Sequence, residues 1–361
     1  MNKILWIAPN LNHYKARFLN KLAEVCKLNI TVLAGGQMQD IGHRPDDGTP
    51  LFTKVTVKAT KENFHTRLEV YKTLFRLIRK TKYEFVLMPI EKKHIALIIF
   101  LFVLKFAFGF KLVSYNHPLT RDRFLNPACD RLIARLLFSF YNRIIFYTEE
   151  SRVDAVNRRL LPPTKAFFAN NTLDTSEIWR NYTFEVKQSD PKVFLFIGRL
   201  IKSKRLDLLL EYFNALKVQL VDVRLIVIGD GPEAQIIKSA AEKDPAITWL
   251  GALVDEKIIC QVMRDSHIVF VPGWSGLSIV HAFCYGKPYV TIDGRHPPEI
   301  EYLTNGESGL ILSGNINNDC QELISFLINN DEYTNACYNA FCKAKTLSIE
   351  HWCEQISRAF Y

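Results

Sequence analysis

Two cations stand just past an apolar run in "VFLFIGRLIKSKRLD", residues 193–207: Arg199, directly after Gly198, and Lys204, five residues further on. The run reads as a buried strand that ends at the glycine, which puts both side chains in the loop at its carboxyl end. A guanidinium and an ammonium held there suit a diphosphate. Arginine offers a planar fork of donors, lysine a compact point charge, and the N-terminus of the following helix adds unpaired N–H groups. Three later apolar runs likewise end at glycines: "IGDGP" (228–232), "WLG" (249–251) and "VPGWSGL" (271–277). Gly229, Gly231 and Gly251 permit close backbone approach, and the main chain near Gly251 is placed to hold a nucleobase edge. The apolar helix after the last of them carries one imidazole, His281.

The elements that must position these residues follow a regular rhythm. Strand-like runs "KILWIAP", "LNITVLAG", "FVLMPI", "KLVSYNH" and "RIIFYT" alternate with helix-length amphipathic stretches, and the alternation restarts at "KVFLFIG", "VRLIVIGDG", "ITWLG", "HIVFVPG" and "PYVTID". Strand–helix alternation of this kind builds parallel sheets covered on both faces. The expectation is an α/β protein of two doubly wound, Rossmann-like domains, 1–180 and 190–345, facing each other across a cleft, with polar residues 181–192 as linker. Residues 36–62 read as irregular. In the final stretch, 346–361, Ile349, Trp352, Ile356 and Phe360 fall on one helical stripe, which predicts a helix packed back on the first domain. Ligands of such sheets bind at the carboxyl ends of the strands.

The charge is divided unevenly. Residues 1–160 hold 27 Lys and Arg against 13 Asp and Glu, while the remainder carries 19 against 24. A basic first half points to an anionic partner: nucleic acid, acidic lipid headgroups or a phosphorylated substrate. No nucleic-acid module or basic–aromatic stripe supports the first of these. "HIALIIFLFVLKFAFGF", 94–110, is interrupted by Lys105 and falls short of the roughly 20 residues a spanning helix needs, so it reads first as a helix packed on a sheet and second as one that dips in part into a bilayer surface beside basic residues. The eight cysteines show no CxxC pair or zinc spacing, and the start of the chain lacks the features of a signal peptide; both fit a reduced, cytoplasmic protein. "PDDG", 45–48, reads as a turn rather than a metal site, and no metal or cofactor is expected.

Taken in order, "GRLxxxK", "VIGDGP", "WLG", "VPGxxGL", "HAFCYGKP" and "EYLTNGESG", over roughly 190–312, resemble the donor half of retaining glycosyltransferase family 4, which has the GT-B fold. "FYTEESRVDAV" and "ANNTLD" resemble its first half more loosely. The resemblance implies that Arg199 and Lys204 bind the donor diphosphate and stabilise the departing nucleotide. It places Gly198, Gly229, Gly231, Gly251, Gly276, Leu277, Ser278, His281 and Glu301 around the donor. The family's two glutamates, with seven residues between them, fall on Gly273 and His281, so both carboxylates are missing. His281 then either contacts a ribose hydroxyl or is satisfied within helix–sheet packing.

By the same resemblance His117 matches a cleft histidine near the reacting sugar, where it would orient it. In a front-face mechanism the leaving phosphate takes the acceptor's proton, so no general base is required. Asn10, His13, Tyr14 and Lys15, after the first strand, are assigned to the acceptor, with Arg121 and Arg123 for an acceptor phosphate. The expected function is sugar transfer from a nucleotide-diphosphate donor to an anionic lipid-linked or polysaccharide acceptor in bacterial surface glycan synthesis. The expected place is the cytoplasmic face of the inner membrane, in peripheral contact with it. A non-catalytic glycan- or nucleotide-binding protein and a nucleotide-sugar epimerase are the alternatives.

Overall fold

The computed structural model describes residues 2–9, 11, 13–36, 50–60, 62–116, 127–220 and 222–361, with the backbone alone at 13, 14, 116, 127 and 128. They fall into two units. One comprises the described residues up to Asn171 together with Ile349–Tyr361, the other Thr172–Ser348.

The first unit runs β1 (Lys3–Ala8), α1 (His13–Cys26), β2 (Asn29–Ala34), β3 (Thr53–Thr56), α2 (Leu68–Lys80), β4 (Phe85–Leu87), α3 (Ile95–Phe108), β5 (Lys111–Asn116), α4 (Pro127–Ser139), β6 (Arg143–Phe146), α5 (Glu149–Asn157) and β7 (Ala166–Phe168). Its sheet has the order β3-β2-β1-β4-β5-β6-β7, and the described pairings are parallel. Alternate residues feed two cores, as a sheet covered on both faces requires. Leu5 and Ile7 of β1 join the layer formed with α2 to α5, and Ile4 and Ala8 the layer formed with α1. β3 lies inside the stretch read as irregular; its sequence, TKVT, is too polar to stand out because an edge strand need bury little.

The second unit runs α6 (Ser176–Asn181), β8 (Lys192–Ile197), α7 (Leu206–Gln219), β9 (Val223–Ile228), α8 (Ala234–Lys243), β10 (Ile247–Trp249), α9 (Glu256–Asp265), β11 (Ile268–Phe270), α10 (Ser278–Cys284), β12 (Tyr289–Ile292), β13 (Gly309–Leu312), α11 (Ile316–Ile328) and α12 (Asn330–Thr346). Its parallel sheet has the order β10-β9-β8-β11-β12-β13. The last helix, α13 (Ile349–Ser357), belongs to the first unit. There Trp352 packs on Phe18 with ring centroids 4.8 Å apart and donates its indole N–H to the Tyr115 hydroxyl at 2.8 Å.

One expectation needs correcting. Residues 181–192 are not a free linker. Tyr182 is buried against Tyr285 and donates to its carbonyl at 2.9 Å, and Phe184 stacks on Phe341 at 4.7 Å, because these aromatics gain more from the second unit's core than from solvent. The apolar stretch 94–110 forms α3, which buries only the side that meets the sheet. Among the described residues no helix is long and apolar enough to cross a membrane. All eight cysteines are free thiols.

One buried group makes the second unit's stability depend on pH. His267, just before β11, is 1% exposed; its Nδ1 accepts the Val193 N–H at 3.0 Å, and its Nε2 has no partner among the described residues. Burial first, then the charges of Lys192, Lys287 and Lys187, depress its pKa to about 4. An unfolded histidine titrates near 6.5, so between those values the unfolded chain binds the proton and the folded one refuses it. Stability is full above about pH 6.5 and should fall by about 2–3 kcal/mol as pH drops to about 4. Urea denaturation across that range should show the loss in wild type. His267→Asn, which keeps an acceptor for Val193 but cannot charge, should remove most of it; an equal slope in the two proteins would refute this origin.

Candidate functional site

The order of the second sheet changes direction at β8, with β9 and β10 on one side and β11 to β13 on the other. Loops leaving neighbouring strands at such a point diverge and open a crevice at the carboxyl ends. The loops after β8 and β11 meet there. Gly273 N–H donates to the Lys204 carbonyl at 3.2 Å and Trp274 N–H to that of Ser203 at 2.8 Å, while Lys204 Nζ donates back to the Trp274 carbonyl at 2.6 Å. Burial lowers the Lys204 pKa to about 8 against the opposing pull of Glu299, a buried carboxylate in the loop after β12. Arg199 projects into solvent from the same β8 loop. The arrangement is one half-buried, partly desolvated ammonium and one exposed guanidinium past a single strand end, fit to bind and neutralise an anion.

The glycines in this region serve first to let loops cross. A Cβ on Gly229 would lie 1.8 Å from the Gly198 carbonyl oxygen, and one on Gly231 2.4 Å from that of Leu200, so the β9 loop can sit on the β8 loop only without side chains. Gly251 turns with φ +68°, and its carbonyl accepts the Gly229 N–H at 2.8 Å. Its carbonyl is thus engaged within the fold. Gly273 is confined in the same way: a Cβ would lie 2.2 Å from the Ser203 oxygen and 2.7 Å from the Lys204 carbonyl carbon. Gly276 has room, its nearest neighbour being Pro297 at 3.5 Å.

The β11 loop is fixed from beneath. His296 Nδ1 accepts the Ser275 N–H at 3.2 Å while its Nε2–H donates to the Ile292 carbonyl at 2.8 Å, which defines a neutral tautomer. The Ser275 hydroxyl reaches Gly273 O at 2.9 Å and the Thr291 hydroxyl at 3.0 Å. Leu277 precedes α10 as its cap, and the Ser278 hydroxyl meets the Tyr289 hydroxyl at 2.7 Å.

His281, on α10, is mostly buried and paired across to the first residue of α9. Its Nε2 lies 2.8 Å from Glu256 Oε1, which also accepts the Tyr285 hydroxyl at 2.7 Å. With a carboxylate as acceptor, Nε2 is the donor. Burial, and then the Glu256 charge, push the Tyr285 phenol up, keeping it a donor. A carboxylate therefore stands beside His281, supplied by another helix.

Glu301 lies in the 3-10 turn Pro298–Tyr302, and Glu299, two residues earlier, is the carboxylate whose charge acts on Lys204. In the first unit only part of the candidate set can be placed. Lys15 is exposed on α1; His13 and Tyr14 open that helix; and Asn10, His117, Arg121, Arg123 and "PDDG" lie outside the described residues. Among the described residues no group of three His, Cys, Asp or Glu side chains is arranged to hold a metal ion. Reasoning from sequence missed Glu256, Glu299 and His296. "PPE" held a signal for Glu299, a carboxylate directly after two prolines; Glu256 and His296 carry no local signal, since their partners lie 25 and 21 residues away.

Residues 178–342 match the family model of glycosyl transferases group 1. The poly(ribitol-phosphate) alpha-N-acetylglucosaminyltransferase of Staphylococcus aureus is 22% identical over 200 residues, 53% of this chain and 37% of that enzyme, so the match spans little more than a third of the curated relative. Anabaena HepE, solved with UDP, is 14% identical with a TM-score of 0.69 over 99% of both chains. The lipopolysaccharide outer core galactosyltransferase WaaB, solved without ligand, has 12% identity and a TM-score of 0.69 over 99% of both. At such identities the likeness establishes the fold: two Rossmann-like units with parallel sheets, as in GT-B glycosyltransferases.

Proposed function

We propose that this chain, whose second unit carries the match to group 1 glycosyl transferases, is a retaining, metal-independent glycosyltransferase acting from a nucleotide-diphosphate sugar. The observation that carries the reading is Lys204, a half-buried ammonium at the switch point of the sheet that feels the charge of Glu299, with the exposed Arg199 beside it to close on a ligand. Both cations lie where a diphosphate at the strand ends would be. Charge grows on that group as the sugar leaves, so fixed cations act mainly on the transition state. They also take the part a divalent ion would otherwise play in holding it. The acceptor is read as an anionic lipid-linked glycan of the bacterial surface, met at the cytoplasmic face of the inner membrane. Support comes from the basic first half of the chain and from similar proteins named for poly(ribitol-phosphate) and lipopolysaccharide transfer.

Within this reading His281 and Glu256 act together on the nucleoside, the histidine holding the carboxylate that the ribose hydroxyls meet. Isothermal calorimetry with UDP, GDP, ADP and uridine tests both levels. One nucleoside diphosphate should bind clearly more tightly than the others, and His281→Ala should weaken it by about tenfold, the worth of a hydrogen bond or two. Indifference to every nucleotide would overturn the donor assignment, whereas wild-type affinity in His281→Ala would remove only the ribose contact. Product formation from the preferred donor separates an enzyme from a binding protein.

A further inference from the structure

The outward face of α3 carries no polar side chain. Ile95, Ile99, Val103 and Phe106 recur along one stripe and stand in solvent, Val103 61% and Phe106 73% exposed. Lys105, the only charged residue of the helix, turns aside: its Nζ donates to the Phe140 carbonyl at 2.8 Å, above the Phe102 ring. Neighbouring helices widen the patch. Leu132 and Leu136 of α4 are 68% and 57% exposed, and Phe75 of α2 is exposed with its ring edge-on to Phe108 at 6.1 Å. Single exposed apolar residues are ordinary, but seven in one helical layer mark a surface that something covers.

Cations surround it. Lys72, Arg76 and Arg79 of α2 and Arg131 and Arg135 of α4 are exposed, and Lys92 is exposed just before α3. Beside the carboxyl ends of α2 and α3 lies a crevice of about 120 Å³, where Arg79 and Lys82 stand with Ile78, Tyr83, Phe108 and Phe110. Two positive charges over an apolar floor match the boundary between lipid headgroup and acyl chain.

We propose that this helical layer docks on an anionic phospholipid bilayer. In that pose α3 lies in the plane of the interface, Val103 and Phe106 enter the acyl region, and the surrounding cations meet headgroup phosphates. A second copy of the chain fits less well. A two-fold contact through the same patch would set each cationic rim against its own image, whereas an anionic surface complements both its charge and its apolar centre. The proposal rests on the lipid-linked acceptor reading for its biological sense, but its test requires no turnover.

The full chain would be sedimented with vesicles of phosphatidylglycerol and phosphatidylcholine in equal parts, and with phosphatidylcholine alone. Binding should favour the anionic vesicles and weaken with salt. Val103→Glu with Phe106→Glu should lower partitioning by about tenfold or more, since it removes inserted apolar area and adds charge of the wrong sign. Val218→Glu, at an exposed site of the second unit, should change nothing. Arg76→Ser with Arg79→Ser provides a second, milder variant, expected to reduce the salt-sensitive part alone. Nucleotide affinity should be untouched throughout, so failure here and failure of the donor site read out separately. The proposal falls if wild type ignores anionic vesicles, if the glutamate variant binds them as wild type does, or if wild type is a dimer that this variant splits into monomers.

Discussion

Lys204→Ala should lower sugar transfer by about 10²- to 10³-fold, the loss seen when one preorganised group is removed from a developing anion. Its partial desolvation is the reason. Lys204 Nζ is held by the Trp274 carbonyl at 2.6 Å and is already stripped of much of its water, so it needs little reorganisation to meet a phosphate. Calorimetry reports the same site without knowledge of the acceptor: affinity for the preferred nucleoside diphosphate should fall by about ten- to a hundredfold, while the bare nucleoside binds as before. The pKa fixes the direction of a pH effect. A lysine lowered to about 8 is charged below that pH and neutral above it, so diphosphate affinity should decline as pH rises through about 8 in wild type and be flat in the alanine variant. Near-normal transfer or diphosphate binding in Lys204→Ala, with an unchanged circular dichroism spectrum, would sink the assignment.

Gly273→Glu, which would supply the first carboxylate that the resemblance to family 4 implies, should cripple the protein rather than improve it. The obstacle is the Cβ itself, 2.2 Å from the Ser203 carbonyl oxygen and within 3 Å of the Lys204 backbone, so no rotamer choice relieves it. Making room breaks the Gly273–Lys204 and Trp274–Ser203 backbone hydrogen bonds and pulls the Trp274 carbonyl off the Lys204 ammonium. A cost of about 3 kcal/mol or more is expected from such forced displacement. Thermal unfolding should report it, and diphosphate affinity should fall with it. Gly273→Ala is the decisive control, because the clash precedes any carboxylate; a fully stable alanine variant would refute the argument. At the second position His281→Glu would bring a carboxylate against Glu256, so that one of the two must keep its proton.

The legible parts of the fold were those written in local periodicity. Alternating apolar runs and amphipathic stretches announced two parallel sheets, and the one-sided stripe of Ile349, Trp352 and Ile356 announced a packed terminal helix. What escaped was short or polar: β3 with four residues at a sheet edge, and β7 with three. The reading of residues 181–192 as linker failed because two aromatics among polar neighbours do not reveal which core will accept them.

The sequence by itself determined that a cationic pair follows a strand end, that glycines close the neighbouring strands, and that Gly273 and His281 stand where the resemblance to family 4 implies carboxylates. These are properties of residue type and spacing, which the chain carries whether folded or not. Only the tertiary structure decided what those departures mean. Gly273 lacks a side chain because the β8 and β11 loops cross there within hydrogen-bonding distance, and His281 faces a glutamate 25 residues earlier in the chain. Likewise an apolar run announces a helix, but which of its faces the sheet covers, and which is left to solvent, is settled by where neighbouring elements pack. Contacts of that kind join residues far apart in sequence, and no local pattern records them.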